Sequence, residues 1–354
     1  MKHTKQFKAL TILAAIIFTV AVNAGEKYSF MMISDTHFGS TDSFGADPPP
    51  RLRRNGERMA GALPHYCAMY ADMVRKSDAS NRFLIHLGDL IEGHGYSREA
   101  QIGQFRSAEK LLKRYFRCPV YMVRGNHESS GKFGKDVCRD VILPAIAANA
   151  GKPPRTVHYT IRCGGDLFIF VNAYAPGYLK FVRETLKNLK TRPRYVFCAI
   201  HADQLPQAKK EVLELCELLA QYNGIILSGH THRTQVFRWS RDGKTVTQFS
   251  VGSCLTPVPG RMRYGDWSDD KAAFLGYFRK KRVRTQEENR IFDTKIVPFL
   301  TDYREPNAGK YKTGQGYARV FVADTGISVL LQSGDIAQPP LEWTLVGSGC
   351  EREK

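Results

Sequence analysis

The sequence predicts an α/β layered fold, and three observations carry that prediction. Six short apolar runs alternate with five stretches whose apolar residues recur at helical spacing. Two later pairs of apolar runs are joined by glycine-containing turns, the mark of β-hairpins. Composition is that of an ordinary globular protein, with 354 residues, 43% hydrophobic and 24% charged. That excludes a disordered, fibrous or multi-span membrane chain and leaves length for a large core.

In chain order, Tyr28–Ile33, Phe83–Leu87, Val120–Val123, Phe168–Val171, Tyr195–Ile200 and Ile225–Leu227 read as buried strands, rich in Val, Ile, Leu and aromatics. Met59–Lys76, Arg98–Phe116, Val137–Ala148, Leu179–Leu189 and Lys209–Tyr222 read as the intervening helices. Thr234–Trp239 and Thr245–Val251 flank Arg241-Asp242-Gly243 as one hairpin, and Tyr317–Val322 and Ile327–Leu331 flank Asp324-Thr325-Gly326 as another. Two segments read as loops. Ser40–Asn55 holds three prolines followed by Arg51, Arg53 and Arg54, and Arg279–Arg284 carries five basic residues in six. Each is either a solvated basic loop or an electropositive rim that steers anions.

The first residues read as an export signal. Lys2, Lys5 and Lys8 precede the apolar run Ala9–Val22, and Val22-Asn23-Ala24 offers small residues for cleavage before Gly25. The run has 14 residues, short of the roughly 20 that a bilayer-spanning helix needs; a retained anchor is the competing reading. The expectation is an exported protein, periplasmic or extracellular. The domain division that follows is 1–24 signal, 25–260 core, and 261–354 a β-rich carboxy-terminal extension with a basic loop, packed on the core. Removing three lysines from a formal charge of +18 leaves +15, which favours anionic substrates. Eight cysteines in this length are too few for a disulfide-built scaffold, and Cys198 reads as a buried strand thiol.

The chemistry-bearing residues recur at strand ends. Asp35-Thr36-His37 follows the first strand, Gly88-Asp89 the second, Gly125-Asn126-His127-Glu128 the third, His201 a later one, and Gly229-His230-Thr231-His232 the next. Residues just beyond the carboxyl ends of parallel strands converge on one crevice. Carboxylate, amide and imidazole together suit Mn, Fe or Zn better than Ca or Mg. Glycines 88, 125 and 229 permit close backbone approach beside these groups.

That order of motifs resembles the calcineurin-like metallophosphoesterase superfamily, over about Tyr28 to Pro257. The resemblance implies a four-layer α/β/β/α sandwich and two divalent or mixed-valence ions, for which the donors suit Mn, Fe or Zn. It implies one ion on Asp35, His37, Asp89 and His232, and the other on Asp89, Asn126, His201 and His230, with Asp89 bridging through its two oxygens. Such a pair generates a hydroxide nucleophile near neutral pH and clamps the phosphoryl group. His127 corresponds to a histidine that protonates the departing oxygen or stabilises the transition state. Glu92 matches a position where some members carry an acid paired with that histidine, against the alternative of a surface glutamate. On the paired reading, Glu92→Gln lowers turnover without loss of metal. Purple acid phosphatases have a tyrosine ligand where this chain has Glu92, so a tyrosinate–iron centre is not expected. The 97 residues after Pro257 are too few for the substrate domain of a five-prime nucleotidase.

Lesser candidates are His94 as a loop histidine, His65 and His158 as structural, Tyr174 at the cleft border, and Arg124, which either contacts phosphate or caps a strand edge. The function expected is hydrolysis of a phosphomonoester or phosphodiester, with a phosphate-ester small molecule or other anion as partner. Nucleic acid has no supporting motif, since no aromatic-interleaved basic stripe occurs. The alternative class is a non-catalytic protein that binds an anionic polymer or membrane surface; its mark would be an incomplete ligand set, and all seven positions are filled.

Overall fold

The computed structural model describes residues 26–154, 156–202, 204–205, 209–254, 267–268, 275, 285–306, 316–334, 336 and 339–347. The segment 1–24, the basic run Arg279–Arg284 and Cys350 lie outside them. No helix among the described residues is long and apolar enough to cross a membrane.

Fourteen strands are described: β1 (Tyr28–Ile33), β2 (Asn81–His86), β3 (Val120–Met122), β4 (Tyr159–Cys163), β5 (Asp166–Val171), β6 (Val196–Ile200), β7 (Ile225–Ser228), β8 (Gln235–Arg241), β9 (Lys244–Ser250), β10 (Trp267–Ser268), β11 (Leu300–Pro306), β12 (Gly316–Ala323), β13 (Gly326–Ser333) and β14 (Leu341–Gly347). They form two sheets, ordered β14-β13-β12-β1-β2-β3 and β10-β11-β8-β9-β7-β6-β5-β4. β1, β2 and β3 run parallel, as do β5, β6, β7 and β9. The hairpin β12–β13 and strand β14 extend β1 antiparallel. Both sheets therefore draw strands from beyond residue 260.

Aromatic rings join the sheets face to face. Phe30 stacks on Phe83 at 5.2 Å, Phe168 on Phe197 at 4.5 Å, and Phe30 meets Phe168 edge-on at 5.4 Å. Such contacts add to the burial of these large side chains. Helix Arg98–Tyr115 and the 27-residue helix Pro50–Lys76 bury Phe105, Leu112, Met59, Tyr66 and Met73 in the same core. A second core lies beneath helices Tyr178–Lys187 and Lys210–Ala220, where Val182, Leu186, Leu215 and Leu219 meet Leu167, Ile169 and Val171 of β5. The result is helix, sheet, sheet and helix in four layers.

Several element boundaries differ from the sequence reading. The segment expected as a loop to Asn55 is helical from Pro50. Proline at the first helical position has its φ already set and no N–H to leave unpaired. Gly56 then brings this turn onto Thr41 and Phe44, a packing that charged residues conceal from any periodicity. The expected helix Val137–Ala148 begins at Gly134 and carries a π-helical segment at Cys138–Ile142. Strands β4, β10, β11 and β14 are additional. The seven described cysteines are free thiols, with Cys198 buried.

Candidate metal centre

All seven expected ligands come from loops that leave the carboxyl ends of β1, β2, β3, β6 and β7. The first two loops remain paired after their strands end, with Asp35 N–H donating to Gly88 O at 3.0 Å and His37 N–H to Asp89 O at 2.9 Å. Five of the seven, Asp35, His37, Asp89, His230 and His232, have φ between 50° and 69°. This left-handed region is sparsely populated by side-chain-bearing residues and is sustained by surrounding structure. Here that structure is close backbone approach. A Cβ on Gly125 would lie 2.1 Å from Asp89 Oδ1, and one on Gly229 would lie 1.8 Å from Ser34 Oγ.

The expected ligands gather in overlapping groups, Asp35 with His37 and His232, Asp89 with His201 and His230, and a third in which His127 joins His37 and Asp89. In the first, His232 Nε2 is 3.2 Å and His37 Nε2 3.7 Å from Asp35 Oδ1, and the two ring nitrogens are 3.0 Å apart. In the second, His201 Nε2 lies 3.2 Å from each of Asp89 Oδ2, Asn126 Oδ1 and His230 Nδ1. Asp89 Oδ1 accepts the His127 N–H at 2.8 Å. Its Oδ2 alone faces both groups, 3.9 Å from His37 Nε2. Its Oδ1 keeps a second lone pair beside the one that the His127 N–H engages.

The donor set fits divalent cations. His201 Nδ1–H donates to the Leu87 carbonyl at 2.7 Å, which in the neutral ring leaves Nε2 a bare acceptor. It faces a carboxylate oxygen and an amide oxygen, contacts that a proton on Nε2 satisfies in the ion-free chain and a bound cation would satisfy in its place. Asp35 Oδ1 is likewise buried with no hydrogen-bond partner. Burial works against charge at these groups, yet their mutual contacts prevail. His232 and His37 hold Asp35 well below its ordinary range. Asp35 and Glu92 raise His37 to about 10, and Asp89 raises His201 to about 9. By contrast, burial lowers His86 to about 3, and that neutral ring pairs with Thr36 Oγ1 at 2.8 Å.

Glu92 is buried, which removes the surface-glutamate alternative. Its carboxylate lies 2.9 Å from His37 Nδ1 and accepts from Asn55 Nδ2 at 2.6 Å. His127 Nδ1 is 3.5 Å from that carboxylate but donates at 2.7 Å to the Glu92 main-chain carbonyl. Glu92 thus holds both rings, with different groups. The His94 ring is 6.3 Å from that of His127. His158 accepts the Asn172 N–H, and His65 lies half-buried on helix Pro50–Lys76. The Arg124 guanidinium bonds Ser129, donates at 3.4 Å to Asn172 at the end of β5, and lies 4.9 Å above the Tyr174 ring.

Two features were not foreseen from the sequence. Glu128 is buried and accepts backbone N–H groups from Gly125, Asp89 and Leu90 at 2.6, 3.1 and 2.7 Å. An acid following Asn-His reads as chemistry rather than as a backbone cap; the neighbouring Gly125 was the available signal. The Tyr174 hydroxyl donates to Asn126 Oδ1 at 3.3 Å, a contact between distant loops with no local signature.

The solved structures most like this one include purple acid phosphatase PPD1 from yellow lupin (Lupinus luteus) seeds and PhoD. The first is 12% identical over 91% of this chain and 54% of that one, with a TM-score of 0.51. The second is 10% identical over 91% and 69%, also at 0.51. This chain spans about half the length of the lupin enzyme, and the likeness is one of fold. No curated protein matches the sequence. The calcineurin-like phosphoesterase family model, however, matches residues 28–234, a span that begins at β1 and takes in every loop bearing the two ligand groups. By that match the chain belongs to the calcineurin-like phosphoesterase family.

Proposed function

We propose that this protein is an exported, metal-dependent phosphoesterase that hydrolyses a phosphate ester. The observation that carries this reading is the meeting of two His-containing ligand groups at a single oxygen, Asp89 Oδ2. Asp35, His37 and His232 would hold one ion, Asn126, His201 and His230 the other, and Asp89 both. Mn, Fe and Zn suit these nitrogen and oxygen donors. Two divalent ions held there would supply the Lewis acidity that lowers the pKa of a water and offsets phosphoryl charge.

The chain's own residues supply the rest. Glu92 and the Leu87 carbonyl fix His37 and His201 by their far ring nitrogens, so that Nε2 of each faces the cleft. The Glu92 carbonyl does the same for His127, whose Nε2 is then placed to hand a proton to the departing oxygen. His127 stands with its ring 4.5 Å from that of His37.

The test is to strip the protein of metal, reconstitute it with Mn, Zn, Fe or Mg, and assay chromogenic phosphate esters beside Asp89→Asn. Metal-dependent hydrolysis that falls at least about 100-fold in the variant supports the reading. Binding of two ions with no hydrolysis of any ester would overturn it in favour of a binding protein. Export is tested separately: mass spectrometry of the protein recovered from its native host should show a chain beginning at Gly25.

A further inference from the structure

The cleft differs on the two sides of Asp89. On one side stand His37, Glu92 and His127. On the other, beside Asn126 and His230, lies a cavity of about 530 Å³. That is within the range of pockets that accept small organic molecules, about 300–1,000 Å³. Tyr174 and Tyr178 form one wall, and Lys209 and Glu211 are its charged members among the described residues; His127 does not line it.

Two properties of this cavity specify what it accepts. Among the described residues its charged side chains are Lys209 and Glu211, which offset each other, so away from the ion that Asn126 and His230 would hold, a neutral group matches it. Its aromatic wall is preorganised. Tyr174 is 41% exposed as a residue, yet Arg124 covers its ring at 4.9 Å and its hydroxyl is held by Asn126. An exposed ring fixed in this way loses little freedom when a second ring packs on it.

We propose that the substrate is a phosphodiester whose retained arm, a neutral ring-bearing alcohol, occupies this cavity against Tyr174 and Tyr178. The inference rests on the phosphoesterase reading above. His127, the group placed to protonate the departing oxygen, stands on the other side of Asp89, so the arm in the cavity is not the one expelled. A monoester has only the expelled arm and leaves the cavity unused. In the reaction, water oxygen forms the new bond to phosphorus; of its two protons, one restores the proton that His127 gives up and the other passes to solvent. The bond to the departing oxygen breaks, its electron pair stays with that oxygen, and His127 supplies the proton. The products are an alcohol and the phosphomonoester of the retained arm.

Three esters that release the same nitrophenol separate the possibilities: p-nitrophenyl phosphate, ethyl p-nitrophenyl phosphate and thymidine 5′-(p-nitrophenyl phosphate). With the metal-loaded protein, kcat/KM for the thymidine diester should exceed that for the ethyl diester by about five- to hundredfold, the range that aromatic stacking on a base provides. Tyr178→Ala should bring that ratio close to one, and Tyr178→Phe should preserve it. Equal rates for the two diesters, a monoester preferred to both, or a ratio that survives Tyr178→Ala would overturn the proposal. Should no ester react, the phosphoesterase reading fails, and calorimetry still judges the cavity. Thymidine 5′-monophosphate binding at least about tenfold tighter than inorganic phosphate, and losing that advantage in Tyr178→Ala, supports it; equal affinities refute it.

Discussion

The two ligand groups that share Asp89 are oriented by unlike means. His37 turns its far nitrogen to the Glu92 carboxylate at 2.9 Å, whereas His201 turns its own to a main-chain carbonyl at 2.7 Å. The first group includes a second carboxylate, Asp35, where the other has the neutral amide of Asn126. His232 of the first is 43% exposed on its side chain, while His201 is fully buried. One position is thus rich in negative charge and adjustable by side-chain substitution. The other is nearly neutral and fixed by backbone. The teaching is that a shared carboxylate does not make two positions equivalent, and the ions should bind with unequal affinity, more tightly at Asp35.

The largest expected effect comes from the ring beside the charged group. His127→Ala should slow hydrolysis of an ester with an alkyl departing group by about 10²–10⁴-fold, with much less effect on nitrophenyl esters, and both ions should remain by elemental analysis. Loss of an ion would instead make His127 a ligand. Next, Glu92→Gln should weaken one ion by about 10–100-fold and leave the other, read by competition with a chelator. This departs from the expectation of unchanged metal content, because the carboxylate bonds His37 rather than His127. Equal weakening of both positions would erase the contrast.

Glu128→Gln tests the backbone-held side. Its amide NH₂ would face N–H donors, costing about 1–3 kcal/mol for each group left unsatisfied, and thermal unfolding should occur at lower temperature. An unchanged melting profile would show that these loops hold their shape without the carboxylate. The smallest effect lies far from the cleft. Asp72 is held below its ordinary range because Lys76, Tyr317 and Arg75 outweigh its burial. A depressed carboxyl contributes stability above its unfolded pKa of about 4, and that contribution fades as pH falls through the folded value. Asp72→Asn should therefore cost about 1 kcal/mol at neutral pH and nothing at the acid end, with metal binding unaltered. A cost that persists in acid would assign the effect to packing instead.

The parallel strands were legible because burial on both faces makes them continuous apolar runs, and their loops because Asp, Asn and His cluster after each run. Strand β14 was not legible: its alternation of half-buried and exposed residues looks like any polar segment until β13 pairs with it. Helix Pro50–Lys76 hid its first turns behind prolines and arginines. In the site, the residue types could be read, but the assignment of atoms could not. That Glu92 offers its carboxylate to one histidine and its carbonyl to another is decided by how residues 37, 92 and 127 meet across three loops.

The left-handed backbone at Asp35, His37, Asp89, His230 and His232 has a consequence for the ion-free chain. Each such residue costs on the order of 1 kcal/mol, a cost that glycine would largely escape. At His232, the most exposed of the five, the substitution that disarms the site is also the one that relaxes the chain. At Asp35 and Asp89 it would also take an acceptor from the His230 and His127 N–H groups. Activity here is metastable in sequence space: once the ions cease to matter, a single change leads downhill to a sturdier and inert protein.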